Sequence, residues 1–293
     1  WGLPTFSRGS VSGDVHLNMA ANFKDHLDIP SIVGWRGQPT GQIPKQRVVW
    51  MYPHFIVLKE LQYQMPLLNF LRTFGEFAAW NELDFVDREV TRLMNLGTCL
   101  SFDASKYDQS ISRTLITHAF QFIKNAFQTK YHEEIDVLEG YFSTSSILTP
   151  HGIISGRNGA VPSGSGLTNL VDSIVNLIIA HYACYRQNSN FLCEMTVLGD
   201  DGVWFWNGIN PVDTEKYTSE LGISANEDKQ FFSPKSVNYL QRLHTRDFPP
   251  YEGVYPGIRS IARTFNGMLS YEVLRPKWNK YMDSIRWIMQ IEQ

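Results

Sequence analysis

Met195-Thr196-Val197-Leu198-Gly199-Asp200-Asp201-Gly202-Val203-Trp204-Phe205-Trp206 sets two short apolar runs around a Gly-Asp-Asp-Gly tetrad. β-prone residues on both sides of such a tetrad predict a hairpin, and Asp and Gly are the residues that type I′ turns select. Read alone, the tetrad is a turn. It also forces two carboxylates together: about 4 Å apart, they repel by about 4 kcal/mol at an effective dielectric of about 20, so a chain that holds them there normally supplies cations. Outward from this hairpin, Cys99-Leu100-Ser101-Phe102-Asp103 reads as a short buried strand that ends in a third carboxylate. Asp103, Asp200 and Asp201 together predict a two-metal site, since two divalent ions about 4 Å apart clamp the attacking and leaving oxygens of a phosphoryl transfer.

The chain has 293 residues, 43% of them hydrophobic, enough to bury a sizeable core as one large or two modest domains. No apolar run reaches membrane-spanning length: Leu167 to Tyr185 is interrupted by Asp172, Asn176 and His181. Neither a membrane partner nor a signal peptide is expected. Trp1 in place of Met leads to the expectation of a segment from a longer polypeptide. Cys99, Cys184 and Cys193 have no metal-ligand spacing and predict packing in a reducing compartment. A net charge of -3 does not advertise nucleic-acid binding. Yet Ile29 to Lys59 holds Arg36, Lys45, Arg47 and Lys59 with no Asp or Glu, so a local basic channel coexists with an acidic total.

Residues 1–47, rich in Gly, Ser and Pro, predict a loop-dominated start. Residues 55–96 predict two helices, the first with Leu58, Leu61, Met65 and Leu68 on its core face, the second with Phe85, Val86, Val90, Leu93 and Met94. Helix is predicted again over 112–129, then a Gly/Ser/Pro-rich segment over 143–166. The next helix has an apolar face of Leu167, Val171, Ile174 and Ile178; Thr168, Asp172 and Asn176 line its other face, expected to point away from the core. A helix near 214–221, a strand over 237–243 and two C-terminal helical stretches follow. This order predicts an α+β sheet with helices on one face.

Asp108 follows Asp103 within Phe102-Asp103-Ala104-Ser105-Lys106-Tyr107-Asp108, and is equally readable as an acid at a helix N-terminus. Pro162-Ser163-Gly164-Ser165-Gly166 before Thr168 reads as a small-residue turn and cap. In this order and at these spacings the set resembles the palm of viral RNA-dependent RNA polymerases. Motif A corresponds to Asp103 through Asp108, motif B to Ser163-Gly164 with Thr168, and motif C to Gly199-Asp200-Asp201. Arg36, Lys45 and Arg47 resemble the basic motif F, Asp228-Lys229 motif D, and Tyr239-Leu240-Gln241-Arg242 motif E. The segments 162–168, 171–176 and 34–39 look most like picobirnavirus polymerases, and next partitivirus ones, from double-stranded RNA viruses.

The resemblance implies a right-hand polymerase: a ferredoxin-like, RRM-like antiparallel palm sheet backed by helices, with partial fingers and a partial thumb. Its implied domains are 1–97 fingers, 98–130 palm with motif A, 131–161 a fingers insertion, 162–245 palm with motifs B to E, and 246–293 thumb. It implies two Mg²⁺ ions, or Mn²⁺ in their place, on Asp103, Asp200 and Asp201. Arg36, Lys45 and Arg47 are expected on the triphosphate. Asp108, Ser163, Gly164, Thr168 and Asp172 are expected to bind the nucleotide, Asp108 at the 2′ hydroxyl; Lys229 is the expected general acid and Arg242 the expected contact to a product-strand phosphate. Implied partners are an RNA template, nascent RNA, ribonucleoside triphosphates and a viral capsid protein, in the virion interior or the host cytoplasm. Asp172 departs from the Asn that many positive-strand RNA virus polymerases carry; when ionised it only accepts. A reverse transcriptase would want an aromatic at position 108 and usually another two before the Asp pair, where this chain has Leu198. A non-catalytic cation-binding viral protein is the other rival.

Overall fold

The computed structural model describes residues 3–7, 9–38, 45–187, 193–225, 230–240, 242–247 and 278–291. In chain order these form α1 (Gly9–Ala21), β1 (Ser31–Gln38), β2 (Lys45–Met51), α2 (His54–Leu71), α3 (Leu83–Leu96), β3 (Cys99–Phe102), α4 (Tyr107–Ser110), α5 (Arg113–Asn125) and α6 (His132–Thr144). Then come β4 (Ile147–Thr149), β5 (Gly152–Ile154), α7 (Thr168–Arg186), β6 (Glu194–Leu198), β7 (Asp201–Phe205), α8 (Pro211–Glu220), β8 (Phe231–Ser233), β9 (Ser236–Tyr239), β10 (Arg242–Thr245) and α9 (Lys280–Ile291).

The central sheet runs β6-β7-β3-β8, every pair antiparallel. Side-chain alternation splits it into two faces. Leu100 lies opposite Trp204 on one and Ser101 opposite Val203 on the other. On the first, Phe102 stacks on Trp204 with ring centroids 4.1 Å apart, and both join Leu100, Met195 and Val197 in a core shared with α5 and α7. Burying Phe102 there contributes about 2 to 3 kcal/mol. On the second, Cys99 and Val203 pack with Val86, Val90, Leu93 and Met94 of α3 and Val237 and Tyr239 of β9. Both faces are covered, not one as expected, because strands buried on both sides read as unbroken apolar runs and hide the second layer.

A second sheet, β2-β1-β4-β5, joins the long β1–β2 ribbon to β4 through the parallel Ser31–Ile147 pairing. It corrects the expectation of a loop-dominated start, which contains α1 and β1, and it sets β4 and β5 inside the Gly/Ser/Pro-rich segment 143–166. The strand expected over 237–243 is instead the hairpin β9–β10, broken at Leu240, whose φ of 51° lies in the left-handed region. Of the two C-terminal helices expected, α9 is described; residues 248–277, the bulk of the expected thumb, lie outside the described residues.

The expected core face of α2 is also wrong. Met65 is 60% exposed, and the buried stripe is Phe55, Ile56, Lys59, Glu60, Tyr63 and Leu67. Its polar members are paired: Lys59 sits 2.7 Å from Glu134, which also accepts the Tyr63 hydroxyl. A reading that treats Lys and Glu as solvent markers therefore chooses the opposite side, and Lys59 leaves the basic tract for an internal ion pair. The three cysteines make no disulfide, and burial pushes the Cys99 thiol up to about 12, which makes it packing material.

Candidate active site

The β6–β7 hairpin closes through two residues, with Leu198 opposite Asp201. Gly199 takes a φ of 61° and Asp200 stays out of the positive-φ region, the pattern of a II′ rather than the expected I′ turn. Asp200 thus occupies the tip and Asp201 opens β7. α7 holds this tip from behind. The Gly199 N–H donates to Ser173 Oγ at 2.9 Å, and Asn176 Nδ2 donates to the Gly199 carbonyl at 3.0 Å. Asn176 Oδ1 in turn accepts from Trp204 Nε1 at 3.0 Å. Gly202 permits this approach: a Cβ there would stand 2.6 Å from Trp204 Nε1 and 3.0 Å from Asn176 Oδ1.

Asp103 comes from the neighbouring strand. β3 pairs with β7 up to Phe102–Gly202, so one residue further the register sets Asp103 against Asp201. Three carboxylates from two separate sequence regions therefore share one end of the sheet. Beyond Asp103 the chain turns through Lys106 (φ 52°) into α4, which carries Asp108. Asp108 lies at a solvent-open lip, yet the protein crowding its carboxyl raises its pKa; the Asp200 charge adds to this and Arg47 opposes it.

Asp172 is buried on α7, with one carboxyl oxygen that meets no hydrogen-bond partner among the described residues. Burial first, then the Asp108 and Asp200 charges, push its pKa well above the usual carboxylate range. The polar face of α7 thus points into the molecule, contrary to expectation. Its Asn176 serves the hairpin, while Asp172 lies close enough to Asp108 and Asp200 to feel their charges.

The loop before α7 is fastened on three sides. Ser163 Oγ accepts the Trp50 N–H at 3.0 Å, and Thr168 Oγ1 donates to the carbonyls of Pro162 at 2.6 Å and Ser165 at 2.9 Å. Glu60 accepts from Ser165 Oγ at 2.8 Å and from the Gly166 N–H at 2.7 Å. Gly164 is required by contact, since a Cβ would fall 1.9 Å from the Trp50 carbonyl oxygen. Thr168 thus spends its proton inside the loop, and its hydroxyl oxygen can meet the expected ribose only as an acceptor.

Across the β1–β2 ribbon Arg36 stands directly opposite Arg47, both exposed. Opposed like charges cost a few tenths of a kcal/mol to about 1 kcal/mol in a sheet, and a bound anion removes that cost. Lys45 belongs to the same ribbon through its backbone in β2. Arg242 is corrected: it is buried, 2.7 Å from Asp87, which also meets His244 at 2.8 Å. That pairing ties β10 to α3 and removes the support for a phosphate contact. Lys229 lies outside the described residues. Among the described residues no three Asp, Glu, His or Cys side chains converge tightly enough to grip a metal ion as they stand.

Sequence reasoning missed Glu60, hidden in a helix read as amphipathic on the wrong side. It also missed the duty of Ser173 and the inward aim of Asn176, although the four-residue spacing of Thr168, Asp172 and Asn176 marked the stripe. Arg157 escaped as well: it donates to the carbonyls of Gly159 and Ala160 at 2.7 and 2.8 Å, with its guanidinium 4.5 Å from the Trp50 ring.

Comparison with known proteins agrees with this geometry. Over 274 residues the chain is 29% identical to the potential RNA-dependent RNA polymerase of human picobirnavirus (strain Human/Thailand/Hy005102/-), covering 89% of this chain and 51% of that protein. It is 27% identical over 251 residues to the RNA-directed RNA polymerase of Cryptosporidium parvum virus 1, covering 77% of this chain and 44% of that one. The crystal structure of the RNA-dependent RNA polymerase of a human picobirnavirus superposes with a TM-score of 0.77 at 29% identity, and its insertion-loop deletion mutant with 0.79 at 28%. These superpositions cover 90% of this chain and 52% and 54% of the two structures, respectively. The chain spans about half the length of these relatives. Residues 24–249 match the profile of the family described as viral RNA-dependent RNA polymerase, and the chain belongs to that family.

Proposed function

We propose that this chain carries the catalytic centre for template-directed RNA synthesis, joining ribonucleoside triphosphates along an RNA template in viral genome replication and transcription. The observation that carries the reading is the strand register: β3 pairs with β7 as far as Phe102–Gly202, one residue short of Asp103 and Asp201, beside the turn that bears Asp200. All the donors there are carboxylate oxygens, the set that hard divalent ions prefer, and a buried Asp172 oxygen with no hydrogen-bond partner among the described residues adds an acceptor nearby. Asp103, Asp200 and Asp201 would hold two Mg²⁺ ions, or Mn²⁺ in their place, which supply Lewis acidity to the attacking 3′ hydroxyl and offset the charge of the triphosphate.

Arg36 and Arg47, with Lys45 on the same ribbon, neutralise the incoming triphosphate; Arg suits this because its planar fork meets phosphate oxygens in pairs. Asp108 reads the ribose 2′ hydroxyl, with Asp172 behind it. The upward shift of Asp172 favours a neutral carboxyl, which donates as well as accepts and so reproduces what an Asn would offer there. Ser163, Gly164 and Thr168 shape the loop that borders the nucleotide. Lys229 protonates the departing pyrophosphate. The domain bounds 1–97, 98–130, 131–161, 162–245 and 246–293, a capsid-protein partner, and a place in the virion interior or host cytoplasm belong to the same proposal.

Primer extension on an RNA template tests it. Incorporation of ribonucleotides that Asp200→Asn abolishes is the expected result. A preference for deoxynucleotides would indicate a reverse transcriptase, and no incorporation by the folded protein would indicate a non-catalytic cation binder.

A further inference from the structure

Glu60 is 0% exposed, lies on the buried stripe of α2, and takes no part in the chemistry assigned above. Its two carboxyl oxygens divide their work: Oε1 accepts the Ser165 hydroxyl at 2.8 Å and Oε2 the Gly166 N–H at 2.7 Å. Ser165 Oγ passes the contact on by accepting the Leu167 N–H at 3.0 Å. The approach is close: a Cβ at residue 166 would stand 3.3 Å from Glu60 Oε2, a tight contact. One side chain of α2 therefore holds three consecutive residues, more than a hundred positions away, at the entrance of α7.

What α7 carries makes that entrance matter. Asp172 lies one turn beyond Thr168, and Ser173 and Asn176 bond the Gly199 backbone at the turn that bears Asp200. Without Glu60, the buried Ser165 hydroxyl and the half-buried Gly166 N–H lose their acceptor. Buried donors do not stay unpaired, so the loop would shift to find partners and draw the first turn of α7 with it.

We propose that Glu60 is a positioning residue for nucleotide selection: by holding 165–167 it fixes the 162–168 loop and, through α7, the Asp172 carboxyl at the place where the ribose is read. The proposal rests on the polymerase reading above. A Gln can make both bonds, donating to Ser165 Oγ and accepting from Gly166, whereas a Leu of similar volume can make neither.

Single-nucleotide incorporation kinetics and hydrogen exchange on wild type, Glu60→Gln and Glu60→Leu test it. Glu60→Leu should raise the KM for ribonucleotides about tenfold and lower the ribo-over-deoxy preference by a similar factor, with kcat changed less than about threefold. Glu60→Gln should restore both to within about threefold of wild type. Amide exchange should rise at 165–167 in Glu60→Leu while the β3 and β7 amides keep their protection. If Glu60→Leu does not fold, Ser165→Ala, which removes one of the two bonds, should show the same local rise in exchange and a smaller rise in KM. Wild-type KM, sugar preference and exchange in a folded Glu60→Leu or Ser165→Ala would overturn the proposal, as would a Glu60→Gln no better than Glu60→Leu. If wild type incorporates nothing, the polymerase reading fails, and exchange at 165–167 still decides whether Glu60 holds the loop.

Discussion

Gly164→Ala should disable the nucleotide loop without touching a carboxylate. An ideal Cβ at 164 would fall 1.9 Å from the Trp50 carbonyl oxygen, 3.0 Å from its carbonyl carbon and 3.1 Å from the Tyr52 nitrogen. To reach even 3.0 Å, below which Cβ contacts hardly occur, loop and strand must part by about 1.1 Å. Neither side yields cheaply. Trp50 is paired with Val33 across the ribbon, and its N–H is held by Ser163 Oγ at 3.0 Å. Overpacking of this kind costs about 1 to 3 kcal/mol, and losing the Ser163 bond about 1 kcal/mol more. The midpoint of thermal unfolding should fall by roughly 5 to 15 °C at about 2 to 4 °C per kcal/mol. A displacement of about 1 Å beside the reacting nucleotide should lower kcat/KM about a hundredfold. The assays are a circular-dichroism melt and single-nucleotide primer extension, with Gly140→Ala as control: Gly140 is helical, with nothing within 4 Å of its would-be Cβ. That control should keep full activity and gain up to about 1 kcal/mol. A Gly164→Ala protein with wild-type kcat/KM and an unchanged midpoint would refute the steric reasoning.

Asn176→Ala removes the donor to Gly199 and the acceptor for Trp204, so incorporation should drop more than tenfold at a stability cost of about 2 kcal/mol; equal activity would show that the turn holds itself. Asp172→Asn should keep the preference for ribonucleotides and abolish its pH dependence, because the wild-type carboxyl donates only while neutral, below its raised pKa; identical pH profiles would return Asp172 to a purely packing role. The Glu60 carboxyl, raised by burial from 4.5 to about 8, holds a proton in the folded state that the unfolded chain has already released across that interval. Stability from this group therefore falls by a few kcal/mol as pH rises from about 4.5 to about 8 and levels off above. Urea unfolding should show Glu60→Gln gaining that much on wild type over the same interval, and parallel curves would contradict it. Lys229→Leu should slow incorporation without abolishing it, and an unchanged rate would leave Lys229 a surface charge.

The sequence by itself determined the hairpin, the strand that ends in Asp103, the helices over 54–71, 83–96, 113–125 and 168–186, and the grouping of Asp103, Asp108, Asp200 and Asp201. The elements are local, since a turn tetrad, a short apolar strand and a helical period each leave a mark within a few residues, whereas the grouping was read from the order and spacing of motifs along the chain. Tertiary structure decided which polar residues are inside. Lys59, Asp172, Asn176 and Arg242 read as solvent-facing or as free to meet a ligand, and nothing in the sequence singled out Glu60 or Asp87. Each is buried; Lys59, Glu60, Asp87, Asn176 and Arg242 are satisfied there by partners from distant parts of the chain. Polarity marks the surface only when a side chain has no such partner. Hydropathy along the sequence carries no record of who that partner is, so α2 turned the opposite face inward and Arg242 became a strut rather than a contact for RNA.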